Sequence, residues 1–247
     1  MSEPETIQLT EFSGKVLYES ISPTFREAVE EAVLRHVDLS NANLAGKDLR
    51  GARLNFGRFR EASFAGALLE GADLSGADCE GANFLRASCC RVTARGANLS
   101  GAQGIGANFA ESNLTQIRAN GADFSCADFR RADLSHAVLT CAGLENCNFA
   151  NATAMGAGFN YASARAAGFV SARMDRSDFG GANLIDADFL DADLRGCDLR
   201  GAHTGGARFE DANLSGVLRD SRDVVIGSLA ASSKEAKGKV RVVPSGA

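Results

Sequence analysis

From Val37 to Gly216 the chain repeats a five-residue pattern of hydrophobic and polar positions, with no inserted or deleted residue. The first position is alanine in 27 of 36 blocks, and the third is leucine or phenylalanine in 27 of 36. The second and fourth positions are mostly polar, and glycine is frequent at the fifth. A fixed period over 180 residues predicts a solenoid, because such short repeats can bury a core only by stacking.

Within a block, the order small, polar, large apolar, polar alternates as the side chains of an extended segment do. Leucine or phenylalanine is therefore predicted to point inward together with alanine, while the polar residues face water. The fifth position turns the corner, where glycine relaxes the backbone constraint.

Blocks such as ANLSG, ADLSG, ADFSC and ADLRG resemble the A-(D/N)-L-x-x pattern of the pentapeptide-repeat family, of the bacterial type. The resemblance covers about three quarters of the chain. It implies an all-β solenoid, a right-handed quadrilateral β-helix with four blocks in each 20-residue turn. The 36 blocks would then form about nine turns.

Charged residues 20 positions apart test this turn length, because they would be stacked neighbours on one side of the rod. Eleven such pairs have opposite charges, Arg50–Glu70, Arg60–Glu80 and Asp188–Arg208 among them. Only Asp178–Asp198 and Asp191–Asp211 have like charges. We interpret the excess of opposite pairs as support for the 20-residue turn and for ion pairs between turns.

Residues 1–36 and 217–247 lie outside the repeats and are predicted to cover the two ends of the core. IQLTEF and KVLYES, joined at Ser13-Gly14, predict a hairpin. The following segment predicts an amphipathic helix with Ser22 or Thr24 as its N-cap. Together they form a small α/β cap. In the short C-terminal extension, DVVIGSL and KVRVV could be strands, and the extension either caps the rod or joins two copies as a homodimer.

The middle of the repeats is irregular. Val92 and Ala94, and likewise Ile117 and Ala119, exchange the usual large and small positions, which keeps the core volume roughly constant. Between them, Gly104 leaves a gap at a third position. We therefore expect a local distortion of the backbone around Gly104.

Composition narrows the function classes. The net charge of −5 does not suggest a direct nucleic-acid binder, and no apolar run is long enough to predict a membrane span. The N-terminal segment lacks the features of a secretory signal. The seven cysteines contain no CxxC pair, so we expect a reduced, cytoplasmic environment.

Catalytic chemistry is not predicted. His36, His136 and His203 are far apart in the stack, and no phosphate-binding glycine loop is present. Cys79, Cys89, Cys147 and Cys197 fall at inward positions, where cysteine acts as a small apolar residue. The many aspartates spread outward along different sides rather than converging on an ion. We therefore predict no enzyme activity, no metal site and no cofactor.

Two kinds of surface residue stand out as a candidate interface. The carboxylates of the two like-charged stacks are left without a stacked partner; they are Asp178, Asp191, Asp198 and Asp211. Apolar residues also stack at outward positions; they are Leu85 with Ile105 and Val170 with Leu190. Ordinary solvation of the carboxylates and cover by the C-terminal extension remain the alternatives.

These observations favour a non-enzymatic rod that binds a protein partner. The family resemblance adds a sharper alternative: its Qnr group mimics duplex DNA and binds type II topoisomerases, chiefly DNA gyrase. A DNA mimic should have one strongly negative face, whereas the four predicted sides carry about −2, −1, −2 and +1. A structural component of an assembly is the third alternative.

Overall fold

The computed structural model describes residues 6–220 and 241–243. It begins with an antiparallel pair, β1 (Ile7–Thr10) and β2 (Val16–Ser20), followed by the helix α1 (Phe25–Leu34). After the repeats, β3 (Leu218–Asp220) pairs in parallel with β4 (Arg241–Val243). No helix in the described part of the chain is long and apolar enough to cross a bilayer.

The N-terminal helix is capped by Thr24, one of the two predicted alternatives. Its hydroxyl accepts a hydrogen bond from the Glu27 N–H and donates one to the Glu27 carboxylate, which is a capping box. The other alternative, Ser22, instead hydrogen-bonds Glu31 together with Ser20. These bonds, with one from Tyr18, lower the pKa of Glu31 to about 2, and they tie α1 to β2.

The hairpin and the helix lie on the first turn of the repeats. Ala28, Val29 and Ala32 are buried against the core, because they share one face of α1. The Thr10 carbonyl accepts the N–H of Asn43 at 2.7 Å. This end of the hydrophobic column is thereby shielded from water.

The repeats form a ladder in which the second residue of each block bridges the second residue 20 positions later. The parallel bridges run from Asp38–Arg58 to Asp198–Leu218. Four blocks therefore make one turn. We number the sides 1 to 4, starting from the blocks that begin at Val37, Ala42, Lys47 and Ala52.

The core consists of the first and third residues of the blocks. Alanines at the first position and leucines or phenylalanines at the third are almost entirely buried. On side 3, rings at successive turns stack nearly parallel, with centroids 4.7 to 5.4 Å apart. The stacked residues are Phe109, Phe129, Phe149, Phe169, Phe189 and Phe209.

Aspartate and asparagine at the second position have a structural role. Their side-chain oxygen accepts the backbone N–H two residues later, as Asp133 Oδ1 does from Ser135 at 2.9 Å and Asn148 Oδ1 from Ala150 at 3.0 Å. The same contact recurs along the rod. A short side chain with a terminal oxygen closes this local turn, whereas a longer one overshoots it.

Replacing Asp133 with alanine should therefore lower the free energy of unfolding by about 1 kcal/mol, because the Ser135 N–H loses its acceptor. Asp133→Asn keeps the oxygen and should differ from the parent by a few tenths of a kcal/mol. Urea denaturation of both variants checks this. Equal losses in the two variants would instead assign the effect to the charge.

The charged side chains pair differently from the prediction. Arg60–Glu80 and Arg208–Asp188 form ion pairs between turns. Arg50, however, binds Asp48 of its own block and not the predicted Glu70. The same Asp-x-Arg pairing occurs in three further blocks, Asp128–Arg130, Asp193–Arg195 and Asp198–Arg200. The reason is that second and fourth positions point to the same side of an extended segment.

The predicted distortion around Gly104 is wrong. The ladder continues through this block, with Gln103 bridging both Asn83 and Asp123. The Phe124 ring fills the space that a side chain at position 104 would need, since a Cβ built there would lie 2.4 Å from Phe124 Cδ1. The core thus keeps its volume by borrowing a ring from the next turn.

The C-terminal end continues the ladder for one further segment. Val217 is buried, and the N–H of Leu199 donates to the Leu218 carbonyl. The predicted strand DVVIGSL lies outside the described residues, and β4 covers part of KVRVV. A homodimer through residues 217–247 stays a prediction.

Candidate functional site

The structure places the four candidate aspartates at two separate locations. Asp178 and Asp198 are neighbours in the ladder at second positions on side 1. Asp191 and Asp211 lie at the corner between sides 3 and 4, both with the positive φ of corner residues. They therefore do not form one acidic patch.

The two aspartates on side 1 differ in their partners. Asp198 binds the guanidinium of Arg200, with Nε 2.9 Å from Oδ1, and this contact lowers the pKa of Asp198. Asp178 accepts the Gly180 N–H at 2.8 Å and has no ion pair among the described residues. Of this like-charged stack, one carboxylate is neutralised and the other is not.

The corner aspartates are both exposed. Within residues 6–220, no ion pair involves either Asp191 or Asp211. The Asp191 N–H donates to the carbonyl of Glu210, a third carboxylate beside this corner. The corner between sides 3 and 4 is thus a narrow acidic strip near the C-terminal end of the repeats.

The apolar candidates also lie on two sides. Leu85 and Ile105 occupy fourth positions in successive turns of side 2 and are 40% and 41% exposed. Val170 and Leu190 occupy the same positions on side 3 and are half-buried. Side 2 therefore offers the more accessible apolar pair.

A groove that the sequence reasoning missed lies along side 1 and the corner that follows it. It has a volume of about 630 Å³, and its lining includes Tyr161, Asp178, Gly180, Asp198 and Arg200. The ring of Tyr161 is 70% exposed. The groove thus contains both aspartates of the side 1 stack.

The Tyr161 ring is held against the backbone of the next turn. A Cβ built on Gly181 would lie 2.6 Å from two carbons of the ring, so the ring rests where a side chain would otherwise stand. Phe56 lies over Gly76 in the same way. The sequence signal is an aromatic fifth-position residue with glycine 20 positions later.

A second cleft separates α1 from the first turn. Its lining includes Leu34, Phe56 and the carboxylates of Glu27 and Glu30. Glu30 accepts the backbone N–H of Arg53 at 2.8 Å, and Glu27 belongs to the capping box. These two carboxylates therefore serve the fold.

The inward cysteines are poor nucleophiles. Burial raises the pKa of Cys147 and of Cys197 to about 12, and it raises the pKa of Cys79 and Cys89 further. Because the reactive form is the thiolate, these thiols are inert at neutral pH. Among the described residues, no group of three or more His, Cys, Asp or Glu side chains could hold a metal ion.

Comparison with known proteins matches the family model described as pentapeptide repeats to residues 32–71, 72–103, 105–140, 166–201 and 192–217, in 8 copies. These segments cover well over half of the chain. The family implies the right-handed quadrilateral β-helix. No curated protein matches the chain significantly.

Several solved structures are similar to this chain. HetL, a pentapeptide repeat protein involved in heterocyst differentiation regulation from the cyanobacterium Nostoc sp., is 25% identical with a TM-score of 0.42, over 87% of this chain and 98% of its own. QnrB1, a plasmid-mediated fluoroquinolone resistance protein, is 22% identical with a TM-score of 0.42, over 81% and 97%. Rfr23 from the cyanobacterium Cyanothece 51142 is 28% identical with a TM-score of 0.30, over 38% and 60%.

Proposed function

This chain belongs to the pentapeptide repeat family, and from that premise we propose that it is a non-enzymatic rod that binds a protein partner in the cytoplasm. The rod would act as an interaction scaffold. Its sides present side chains at fixed positions, since every block is tied by backbone hydrogen bonds to the turns above and below.

The stacked pair Leu85–Ile105 is the observation that carries this proposal. Both side chains are about 40% exposed on a backbone that the ladder holds in place. Exposed apolar side chains that lie together are typical of surfaces that a partner covers, whereas single ones need no explanation. A rigid surface also limits the conformational entropy lost on binding.

The acidic strip supports a second candidate, a DNA-mimicking protein that binds DNA gyrase. Asp191, Asp211 and Glu210 are close together at one corner, without an ion pair to either aspartate within residues 6–220. Charge alone disfavours this candidate, because Asp178 and Asp198 lie elsewhere and Arg200 neutralises one of them. A structural component of an assembly is the third candidate.

Capture of a partner from a cell lysate by the immobilised full chain tests the scaffold. We expect a protein retained in near-stoichiometric amount, lost with the double substitution Leu85→Ser and Ile105→Ser. Leu68→Ser is the matched control, since Leu68 is a comparably exposed leucine on side 3. Retention that survives the double substitution, or is lost equally with the control, would contradict this role for side 2.

A supercoiling assay with purified DNA gyrase tests the second candidate. The scaffold predicts no inhibition, whereas a DNA mimic inhibits at low micromolar concentration and loses the effect with Asp191→Asn and Asp211→Asn. Sedimentation of the same samples tests the third candidate, which requires self-association beyond a dimer at micromolar concentration.

A further inference from the structure

The groove beside Tyr161 lies where the repeat pattern omits an arginine. In four blocks an aspartate at the second position binds an arginine at the fourth, as Asp193 binds Arg195 and Asp198 binds Arg200. In the block of Asp178, the fourth residue is Gly180. The carboxylate and its backbone setting are retained, and the guanidinium is missing.

The contacts of Asp178 leave room for that guanidinium. Its Oδ1 accepts the Gly180 N–H at 2.8 Å, as Asp193 Oδ1 accepts the Arg195 N–H at 3.3 Å. In the other blocks both carboxylate oxygens also face the arginine, as at Asp198, whose Oδ1 and Oδ2 lie 2.9 and 3.1 Å from Arg200 Nε. Asp178 has no such donor among the described residues, and the groove opens over it.

The charge around the groove favours a cation. Three carboxylates belong to its surroundings, those of Asp178 and Asp198 in the ladder and that of Asp220, which accepts the Gly201 N–H at 2.7 Å. Arg200 is the one cationic side chain in the lining. It is held by Asp198, while Asp178 is a weaker electrostatic neighbour.

Tyr161 supplies a surface for a flat cation. One side of its ring packs on Gly181, and the ring remains 70% exposed. A guanidinium stacks on an aromatic ring and forms paired hydrogen bonds with a carboxylate, which an ammonium group does less well. Aromatic residues held in one position are also typical anchors of protein interfaces.

From these observations we propose that the groove binds an arginine side chain of the protein partner. The guanidinium takes the place that Arg200 takes at Asp198, pairing with Asp178 beside the ring of Tyr161. The proposal rests on the scaffold function and specifies the chemistry of one contact. It also accounts for the like-charged stack, since an added cation relieves the repulsion between Asp178 and Asp198.

Titration of the full chain with the peptide acetyl-Gly-Gly-Arg-Gly-Gly-amide tests this contact. The chain has two tyrosines and no tryptophan, so NMR of ring-labelled tyrosine gives two signals, which Tyr18→Phe assigns. We expect saturable shifts of the Tyr161 signal and none of Tyr18. The peptides with lysine or citrulline in place of arginine should bind roughly three- to tenfold more weakly or not at all.

Two variants and one control complete the design. Asp178→Asn should weaken the arginine peptide about three- to tenfold, and Gly180→Arg should abolish its binding by supplying the missing guanidinium from within the chain. A Cβ at Gly180 meets only side-chain atoms of Asp178 and Asn160 within 3.5 Å, so the side chain can be accommodated. Asp193→Asn, where Arg195 is already in place, should leave binding unchanged.

An unresponsive Tyr161 signal, equal affinity for the lysine peptide, or undiminished binding by Gly180→Arg would overturn the proposal. These outcomes are distinguishable from failure of the scaffold function. The lysate capture depends on Leu85 and Ile105 on side 2, so it can succeed when the arginine contact is absent.

Discussion

Replacing Phe169 with alanine is expected to lower the free energy of unfolding by about 3–5 kcal/mol. Its ring is fully buried and stacks between Phe149 and Phe189, with centroids 4.9 and 4.7 Å away. It also meets Phe159 and Phe179 edge to face. Alanine would leave a cavity that the backbone cannot close, because the ladder holds neighbouring turns at a constant spacing.

Urea denaturation followed by circular dichroism measures this loss, with Phe169→Leu as the matched control. Leucine is the other common residue at third positions, so it should cost no more than about 1.5 kcal/mol. A difference of less than about 1 kcal/mol between the two variants would show that the aromatic column is not a main source of stability. A biphasic transition in the alanine variant would indicate that the rod separates at this turn, as repeat proteins can.

Most of the architecture could be predicted because its repeat is strict. Inward and outward positions follow from the alternation within a block, and turn length follows from charges 20 residues apart. The second inference was correct in length but partly wrong in cause. Arg50 has both Asp48 and Glu70 within its predicted reach, and only the structure shows that the nearer aspartate binds it.

The interaction surface was less predictable, for a physical reason. Exposed apolar residues and like charges are visible in the sequence once the sides are assigned, and that identified Leu85, Ile105, Asp178 and Asp198. The groove depends instead on what is missing. It exists because Gly180 lacks a side chain, and because Tyr161 reaches over the next turn.

Side-chain packing between turns explains the remaining error. A gap was predicted at Gly104 because the residue was considered within its own block. The ring that fills the gap belongs to Phe124, which is 20 residues later. Volume in this core is shared along the column, so it cannot be judged from a single five-residue block.

Gly104→Ala should therefore destabilise the protein by about 1–3 kcal/mol, although it adds only one methyl group at an inward position. The new Cβ would lie 2.4 and 2.6 Å from two carbons of the Phe124 ring, and the packed core leaves that ring little freedom to move. Gly168→Ala is the matched control. A Cβ there meets nothing within 4 Å, so loss of unfolded-state entropy should stabilise the protein by about 0.4–1 kcal/mol.

The same chemical change is thus expected to have opposite signs at the two glycines, which thermal or urea unfolding measures directly. Adding Phe124→Leu to Gly104→Ala should recover part of the loss, because leucine vacates space beside the new methyl group. A double-mutant cycle should give a favourable coupling of at least about 0.5 kcal/mol. Additive effects, or a neutral Gly104→Ala, would mean that the Phe124 ring does not occupy this space in solution.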